Sequence, residues 1–213
     1  RAVRRRVAQL ARRVRAARNG RFFAAGKLAR RGGLKVKLHL GCGRRHIPGF
    51  VHVDAQPAPH VDLVGPVERL PLGDASASLI YASHLLEHFD RHSYQAVLAE
   101  WFRVLKPGGI LRLAVPDFAA CAAVYYESGL ADGLSGVLGL IVGGQRDRYD
   151  YHKMIFDEES LRRDLLKAGF REVRRWDWRA TEHSHVDDYS QAYIPHMQKE
   201  AGRLMSLNIE AVK

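Results

Sequence analysis

The chain has 213 residues, 46% of them hydrophobic, so it can bury one substantial core, and its length favours one domain over two. The formal net charge of +11 comes from one end, because residues 1–33 contain 12 Lys or Arg and no Asp or Glu. The rest of the chain has 22 basic and 23 acidic residues. The high charge therefore belongs to a terminal segment and does not argue for a nucleic-acid substrate.

Cysteine content and hydropathy exclude two further classes of protein. Cys42 and Cys121 are far apart, which excludes a disulfide framework and a CxxC metal pair and favours a reducing cytoplasm. No run approaches the ~18 apolar residues of a membrane span, and no apolar signal-peptide stretch follows the basic start. We therefore expect a soluble cytoplasmic protein.

The first segment is predicted to form a basic amphipathic helix or tail over residues 1–33. Its apolar positions recur at helical spacing, at Val3, Val7, Leu10 and Val14. Asn19-Gly20 would end this helix. The pattern fits a docking helix or linker with a solvated basic face, and it also fits a helix lying on anionic lipid or RNA; small apolar side chains favour the former. We expect peripheral contact with a membrane or a protein partner through residues 1–20.

From Leu34 onward the pattern predicts an α/β domain over residues 34–213. Short apolar runs separated by Gly, Pro and Asp alternate with helical segments, as expected for a sheet with crossover helices. The predicted strands are 35–40, 50–54, 61–64, 78–82, 109–115, 171–177 and 204–212. Helices are predicted over 92–105 and 157–168, the second with Asp157 as its N-cap and Gly169 at its end.

A ligand site is predicted where the first two strands end. Residues 35–40 run directly into the turn Gly41-Cys42-Gly43, whose missing side chains would let a ligand lie against the backbone. The next strand ends at Asp54, whose carboxylate is suited to accept both hydroxyls of a ribose. In open α/β sheets this carboxyl edge is where ligands bind. The combination favours a nucleotide-type ligand over turn glycines with a surface aspartate.

The missing features narrow the choice of nucleotide. A dinucleotide fingerprint needs GxGxxG opening a helix, but His46 stands at the third glycine position and Pro48-Gly49 interrupt any helix. No GxxxxGK[ST] phosphate loop is present. S-adenosylmethionine (SAM) carries no phosphate and needs no helix dipole, so it fits this turn better than NAD or ATP.

With these motifs in this order, the chain resembles the class I SAM-dependent methyltransferases of the broad methyltransferase-domain group. The stretches that carry the resemblance are LHLGCG at 38–43, VHVD at 51–54, ERLPL at 68–72, SLIYASHLLEHF at 78–89 and FRVLKPGGILRLAVPD at 102–117. The resemblance implies a Rossmann-like fold, in which a seven-stranded, mostly parallel sheet has an antiparallel last strand and helices on both faces. It also implies a substrate-cover insert around 118–156 and SAM as the cofactor.

The same resemblance implies roles for individual residues. Gly41 and Gly43, with Cys42 between them, would pack against the methionine portion of SAM, and Asp54 would hold its ribose. Residues 67–70, which include Val67 and Glu68, would flank the adenine. Ala82 and Ser83 would line the methyl-transfer site. Two departures stand out: Pro66 replaces the aspartate that many relatives use for the adenine amino group, and loop 44–49 replaces the usual helix between the first two strands.

His84 and His88 raise the question of a metal, because they would share one helical face. The motif is not HExxH, and the Glu-His pair recurs in metal-free members of the group, so we expect no metal.

We expect instead that a histidine is the catalytic base if the acceptor is a hydroxyl. His84 follows the strand end that should border the sulfonium, and His152 lies in the polar, aromatic stretch 144–156 that should cover an acceptor. Asp117 at the end of the fifth strand could orient either one. His185, in the second loop 182–189, ranks behind them.

The expected activity is transfer of the SAM methyl group to an oxygen nucleophile of a small molecule or glycan. Relatives with the short first loop and the YASHLLEHF wording are often encoded beside glycosyltransferases, which favours a surface-polysaccharide or lipid-linked sugar as acceptor. An RNA methyltransferase is the first alternative, favoured by the basic tail, although the near-neutral remainder makes nucleic acid a weaker expectation. A non-catalytic SAM-binding domain is the second.

Overall fold

The computed structural model describes residues 36–128 and 133–213. The predicted basic helix over 1–33, and the membrane or partner contact expected of residues 1–20, lie outside these ranges. Within the described residues, no helix combines the length and the apolar character needed to cross a membrane.

A seven-stranded sheet forms the centre of the molecule. Its strands in chain order are β1 (Lys37–Leu40), β2 (Val51–Asp54), β3 (Leu63–Val64), β4 (Ala77–Ser83), β5 (Leu105–Pro116), β6 (Arg171–Arg175) and β9 (Ser206–Val212), arranged spatially as β3-β2-β1-β4-β5-β9-β6. Strands β1 to β5 pair in parallel, whereas β9 runs antiparallel to both β5 and β6. The predicted mostly parallel sheet with an antiparallel last strand is confirmed. A separate two-stranded ribbon joins β7 (Tyr193–Ile194) and β8 (Arg203–Leu204).

One face of this sheet is apolar and is covered by two α-helices, α1 (Tyr94–Val104) and α4 (Glu158–Lys167). Helix α1 buries Trp101 completely, and the Trp101 Nε1–H donates to the carbonyl of Val67 at 3.0 Å. Asp157 caps α4 as predicted, through a capping box with Ser160. These two helices therefore hold the apolar core against the sheet.

The opposite face is unusually polar, and in the described part of the chain no α-helix covers it. It presents buried polar side chains along four strands, among them His39, His52, Tyr81, Asn208 and Glu210. Its cover consists of loop 44–49 and of two 3-10 helices, Trp178–Ala180 and Tyr189–Gln191. On this face, the helices that were predicted for both faces are therefore present only as short 3-10 helices. Pro48 and Gly49, with φ of 83° at Gly49, explain why the first crossover forms no helix.

Residues 118–156, predicted as an insert, lie between β5 and α4. They include α2 (Phe118–Glu127), a 3-10 helix (Gly133–Gly136) and α3 (Leu138–Val142). The buried residues of a small separate core, Cys121, Val137 and Met205, join this region to the sheet. Residues 143–156 form an irregular loop between α3 and α4, which we call the cover loop. The residues of this region nearest the predicted site belong to it.

Candidate functional site

The parallel register brings the predicted site residues to one edge of the sheet. Leu40 pairs with Val53 on one side and with Ala82 on the other, and Ser83 pairs with Ala114. The residues that follow these strand ends therefore lie at one level. This is the carboxyl edge at which open α/β sheets bind ligands.

The Gly41–Gly43 turn requires glycine for two different reasons. Both glycines have positive φ, 60° at Gly41 and 54° at Gly43, a region that side chains disfavour. A Cβ on Gly41 would lie 2.7 Å from Cδ1 of Leu85, whereas a Cβ on Gly43 would meet nothing within 4 Å. Gly41 thus permits close packing against Leu85, the second residue after β4, while Gly43 leaves space beside its backbone. That space, together with the adjacent carboxylate, fits a bulky ligand lying against the turn.

Asp54 extends its carboxylate over this turn. Oδ2 accepts a hydrogen bond from Gly43 N at 2.8 Å, and Oδ1 accepts one from Gln56 N at 2.8 Å. Each oxygen keeps a further lone pair, and the side chain is only half-buried. A cleft of about 560 Å³ opens beside it, between residues 55–57 and residues 147–149 of the cover loop.

The remaining predicted cofactor residues differ in what they expose. The side chains of Cys42, Val67 and Ala82 are buried, so only their backbone can meet a ligand. Burial also raises the pKa of the Cys42 thiol to about 12, which makes it a poor nucleophile. Glu68 is exposed, and Ser83 is half-buried with its hydroxyl free of hydrogen bonds. Of this group, only Glu68 exposes side-chain polar atoms, because the Ser83 hydroxyl is itself buried.

His84 begins the segment after β4 and has a strained backbone, with φ of 49°. Its imidazole is buried: Nε2 lies 3.3 Å from Ser206 Oγ, and Nδ1 lies 3.4 Å from Oε1 of Glu87. The ring of Tyr189 packs at 5.2 Å. Burial, together with the nearby His152 and His88, lowers the pKa of His84 to about 3, so the ring is neutral near pH 7.

His152 approaches the same place from the cover loop. Its Nε2 lies 3.9 Å from Glu87 Oε1, and its ring stands edge-on to that of His88 at 4.9 Å. Burial lowers the pKa of both histidines. The structure therefore joins the two best-placed predicted bases around Glu87, a residue that sequence reasoning left unassigned. Glu87 is 65 residues before His152, and no spacing rule connects them.

Asp117 and His185 lie elsewhere. The Asp117 carboxylate accepts from Ala119 N and Ala120 N, which makes it the N-cap of α2, and it lies 3.7 Å from Arg175. The carboxylate beside His84 and His152 is that of Glu87 instead. His185 is exposed, in the segment that covers the polar face of the sheet. From that segment it is Tyr189 that reaches the His84 ring.

Comparison with known proteins agrees with this geometry. Residues 46–113 match the family model described as "Methyltransferase domain". No curated protein matches the sequence. The structure is similar to a SAM-dependent methyltransferase from Archaeoglobus fulgidus, with a TM-score of 0.53, 16% identity, and coverage of 85% of this chain and 87% of that one.

Two further solved structures are similar over more of the chain. One is a possible histamine N-methyltransferase from Thermotoga maritima, with a TM-score of 0.52, 18% identity, and coverage of 98% of this chain and 97% of that one. The other is the 1,6-didemethyltoxoflavin-N1-methyltransferase of Burkholderia thailandensis, solved with S-adenosylhomocysteine, with a TM-score of 0.51, 18% identity, and coverage of 99% and 89%. At these identities the likeness establishes the fold.

The chain has the fold of class I methyltransferases, and its residues 46–113 match the methyltransferase-domain model; both findings support a SAM-dependent methyltransferase. SAM is accordingly its cofactor, and the open turn at Gly43 beside the Asp54 carboxylate fits that ligand.

Proposed function

We propose that the protein transfers the methyl group of SAM to an oxygen nucleophile of a small molecule or glycan, specifically a surface-polysaccharide or lipid-linked sugar. The observation that carries the oxygen acceptor is the pair of neutral, buried imidazoles, His84 and His152, beside the strand end next to the Gly41 turn. A neutral imidazole can accept the proton of a hydroxyl. The sequence resemblance to relatives encoded beside glycosyltransferases supports the sugar.

The cofactor would be held by the carboxyl edge of β1, β2 and β4. Gly41 and Gly43 would lie against its methionine portion, Asp54 would accept its ribose hydroxyls, and the backbone of residues 67–68 would flank its adenine. When bound, SAM supplies an electrophilic methyl group. Since methyl transfer is an in-line displacement, the main task of the protein is to hold donor and acceptor in near-attack geometry.

The acceptor would enter on the side of His84 and the cover loop. Arg146 of this loop pairs with Asp150 at 2.6 Å, and its interaction with Tyr189 raises its pKa further. The cover loop therefore meets Tyr189, which follows β6 and whose ring packs against that of His84. In our proposal an acceptor hydroxyl would lose its proton to His84 or His152 as its oxygen bonds to the methyl carbon and the carbon–sulfur bond of SAM breaks, which leaves S-adenosylhomocysteine.

The test is release of S-adenosylhomocysteine with a panel of sugar nucleotides, lipid-linked glycans, small amines and a structured RNA. Turnover with a hydroxyl-bearing glycan supports the proposal. Turnover only with amines or RNA contradicts it, and cofactor binding without any turnover favours a non-catalytic SAM-binding domain.

Variants locate the base once an acceptor is found. Replacing the true base with Ala should lower turnover by roughly 100- to 10,000-fold and leave SAM affinity nearly unchanged. His84→Ala and His152→Ala are compared with His92→Ala, an exposed histidine in the turn before α1. Normal turnover in both variants would assign the reaction to proximity alone or to His185.

The location of the protein belongs to the same proposal. A lipid-linked acceptor is presented at a membrane surface, and the basic residues 1–20 would hold the protein at the inner face of that membrane from the cytoplasm. Sedimentation with anionic vesicles tests this contact. Loss of sedimentation on removal of residues 1–20 supports it, and equal sedimentation without them contradicts it.

A further inference from the structure

Three side chains from two distant parts of the chain converge beneath the cover loop. Glu87, His88 and His152 each offer a ligand atom, and these atoms all lie within 4.8 Å of one another. The Glu-His pair alone led us to expect no metal, but the structure adds His152 as a third ligand, and we propose that these three residues bind one divalent first-row transition-metal ion. The proposal does not depend on which acceptor the protein methylates; with the ion bound, Nε2 of His152 is a ligand, so His84 is then the proposed base.

The first observation concerns the carboxylate of Glu87, which needs a polar or charged partner. Its side chain is fully buried, yet neither of its oxygens has a hydrogen-bond partner. Nδ1 of His84 lies 3.4 Å away and Nε2 of His152 lies 3.9 Å away, and neither forms a hydrogen bond with it. Buried polar groups are nearly always paired, because an unpaired one costs several kcal/mol. A cation among these side chains would remove that cost.

The second observation is the orientation of the two histidines. Nδ1 of His88 lies 3.1 Å from the carbonyl oxygen of Tyr151, and Nδ1 of His152 lies 2.9 Å from that of Leu140. A carbonyl only accepts, so both Nδ1 atoms carry the hydrogen and both Nε2 atoms keep a lone pair. Metal-binding histidines are oriented in this way, with the second ring nitrogen donating to a carbonyl or carboxylate.

The backbone holds the two parts of the site together. The carbonyl of Glu87 accepts from Lys153 N at 2.7 Å and from Met154 N at 3.1 Å. The cover loop is thus attached directly to the 3-10 helix Leu86–His88. The distance between Glu87 and His152 is therefore set by main-chain hydrogen bonds. Such preorganisation favours metal binding, since little chain entropy remains to be lost.

The ligand set indicates the kind of metal. Two imidazoles and one carboxylate suit Zn²⁺, Mn²⁺, Fe²⁺ or Co²⁺ better than Ca²⁺ or Mg²⁺, which prefer oxygen ligands. Three protein ligands leave at least one coordination position for water or a substrate oxygen. The partial exposure of His88 provides access from solvent.

A second group of histidines is a less suitable site. His46, His52 and His60 lie with ring centroids 4.9 to 6.2 Å apart, near the end of β2. Both nitrogens of His52 are engaged, however, because Nε2 accepts from Ile47 N at 2.9 Å and Nδ1 lies 3.4 Å from Asp62. The ring of His46 stacks on it at 22°, which does not direct their lone pairs to one point. Variants of these histidines therefore serve as controls in the metal-binding experiment.

The experiment is titration of the full chain with Zn²⁺ by calorimetry, together with Co²⁺ absorption spectroscopy. We expect one Zn²⁺ per chain, a rise in Tm, and a Co²⁺ spectrum showing nitrogen and oxygen ligands at low coordination number. Glu87→Gln and His88→Ala should each weaken Zn²⁺ binding by more than about 100-fold, since loss of even an outer-shell partner typically costs 10- to 100-fold. His46→Ala should bind Zn²⁺ as the wild type does.

Glu87→Gln keeps the shape of the side chain and should fold. Circular dichroism of the metal-free variant checks this. Failure of the wild type to bind Zn²⁺, or binding that survives both Glu87→Gln and His88→Ala, would overturn the proposal. Binding lost in His46→Ala instead would assign the metal to the other histidine group.

Discussion

Replacing His39 with Leu should make the protein more resistant to acid. His39 lies on the polar face of β1 and is 2% exposed, and its Nδ1 has no hydrogen-bond partner. Burial, together with the neighbouring His52 and His183, lowers its pKa from 6.5 to about 3. The folded chain therefore resists protonating this ring between these two pH values, while the unfolded chain takes up the proton. Stability must fall as the pH falls through this window.

The size of this effect follows from the lowered pKa. At about pH 5 the unfolded state has gained roughly 2 kcal/mol by protonating His39, at about 1.4 kcal/mol for each pH unit below 6.5, whereas the folded state has gained almost nothing. In His39→Leu this loss disappears. At about pH 7.5 the variant should be close to the wild type in stability, because the substitution removes a buried nitrogen that lacks a partner.

Urea unfolding at both pH values measures the difference. The wild type should lose about 2 kcal/mol more than His39→Leu between about pH 7.5 and pH 5. His92→Leu, at an exposed histidine, is the matched control and should lose as much as the wild type. Equal losses in the wild type and His39→Leu would refute the reasoning, because the buried ring would then titrate as it does in the unfolded chain.

Three further predictions concern the cofactor edge. Gly41→Ala should destabilise the protein by at least about 1–2 kcal/mol in urea unfolding and weaken SAM binding in calorimetry. Both effects should exceed those of Gly43→Ala, because only the Gly41 Cβ meets a side chain, at 2.7 Å. Trp101→Phe should cost about 2 kcal/mol in urea unfolding, since it leaves the Val67 carbonyl without its indole donor. Deleting residues 1–30 should leave SAM affinity in calorimetry unchanged, as no predicted cofactor residue lies there; an unfolded product would show instead that this segment belongs to the core.

Much of the sheet and the cofactor edge was predictable from the sequence. Their signals are local: apolar runs of strand length, a Gly-Cys-Gly turn, and an acid at a strand end. The strand bounds agree to within a few residues, apart from β5, which begins at Leu105 rather than at residue 109. The residues around Gly108 pair with the chain end, Gly108 N donating to the carbonyl of Lys213. That contact joins remote residues and leaves no local pattern.

Two other features depended on tertiary structure. Helix α2 escaped prediction because the segment 118–127 is almost entirely apolar and lacks the alternation of polar and apolar positions on which helix prediction rests. The association of Glu87 with His152 depends on how the cover loop folds back onto the segment after β4. Spacing along the chain carries no information about such a contact, and for that reason the sequence alone favoured Asp117 as the partner carboxylate.

The most direct test of the central claim is a thermal unfolding experiment with SAM, S-adenosylhomocysteine and NAD. We predict that SAM or S-adenosylhomocysteine stabilises the wild type by about 2.7 kcal/mol at a hundredfold excess over its dissociation constant, whereas NAD has no effect. Asp54→Ala should lose most of this stabilisation while remaining folded. Stabilisation by NAD but not by SAM would contradict the assignment of this chain to the SAM-dependent methyltransferases.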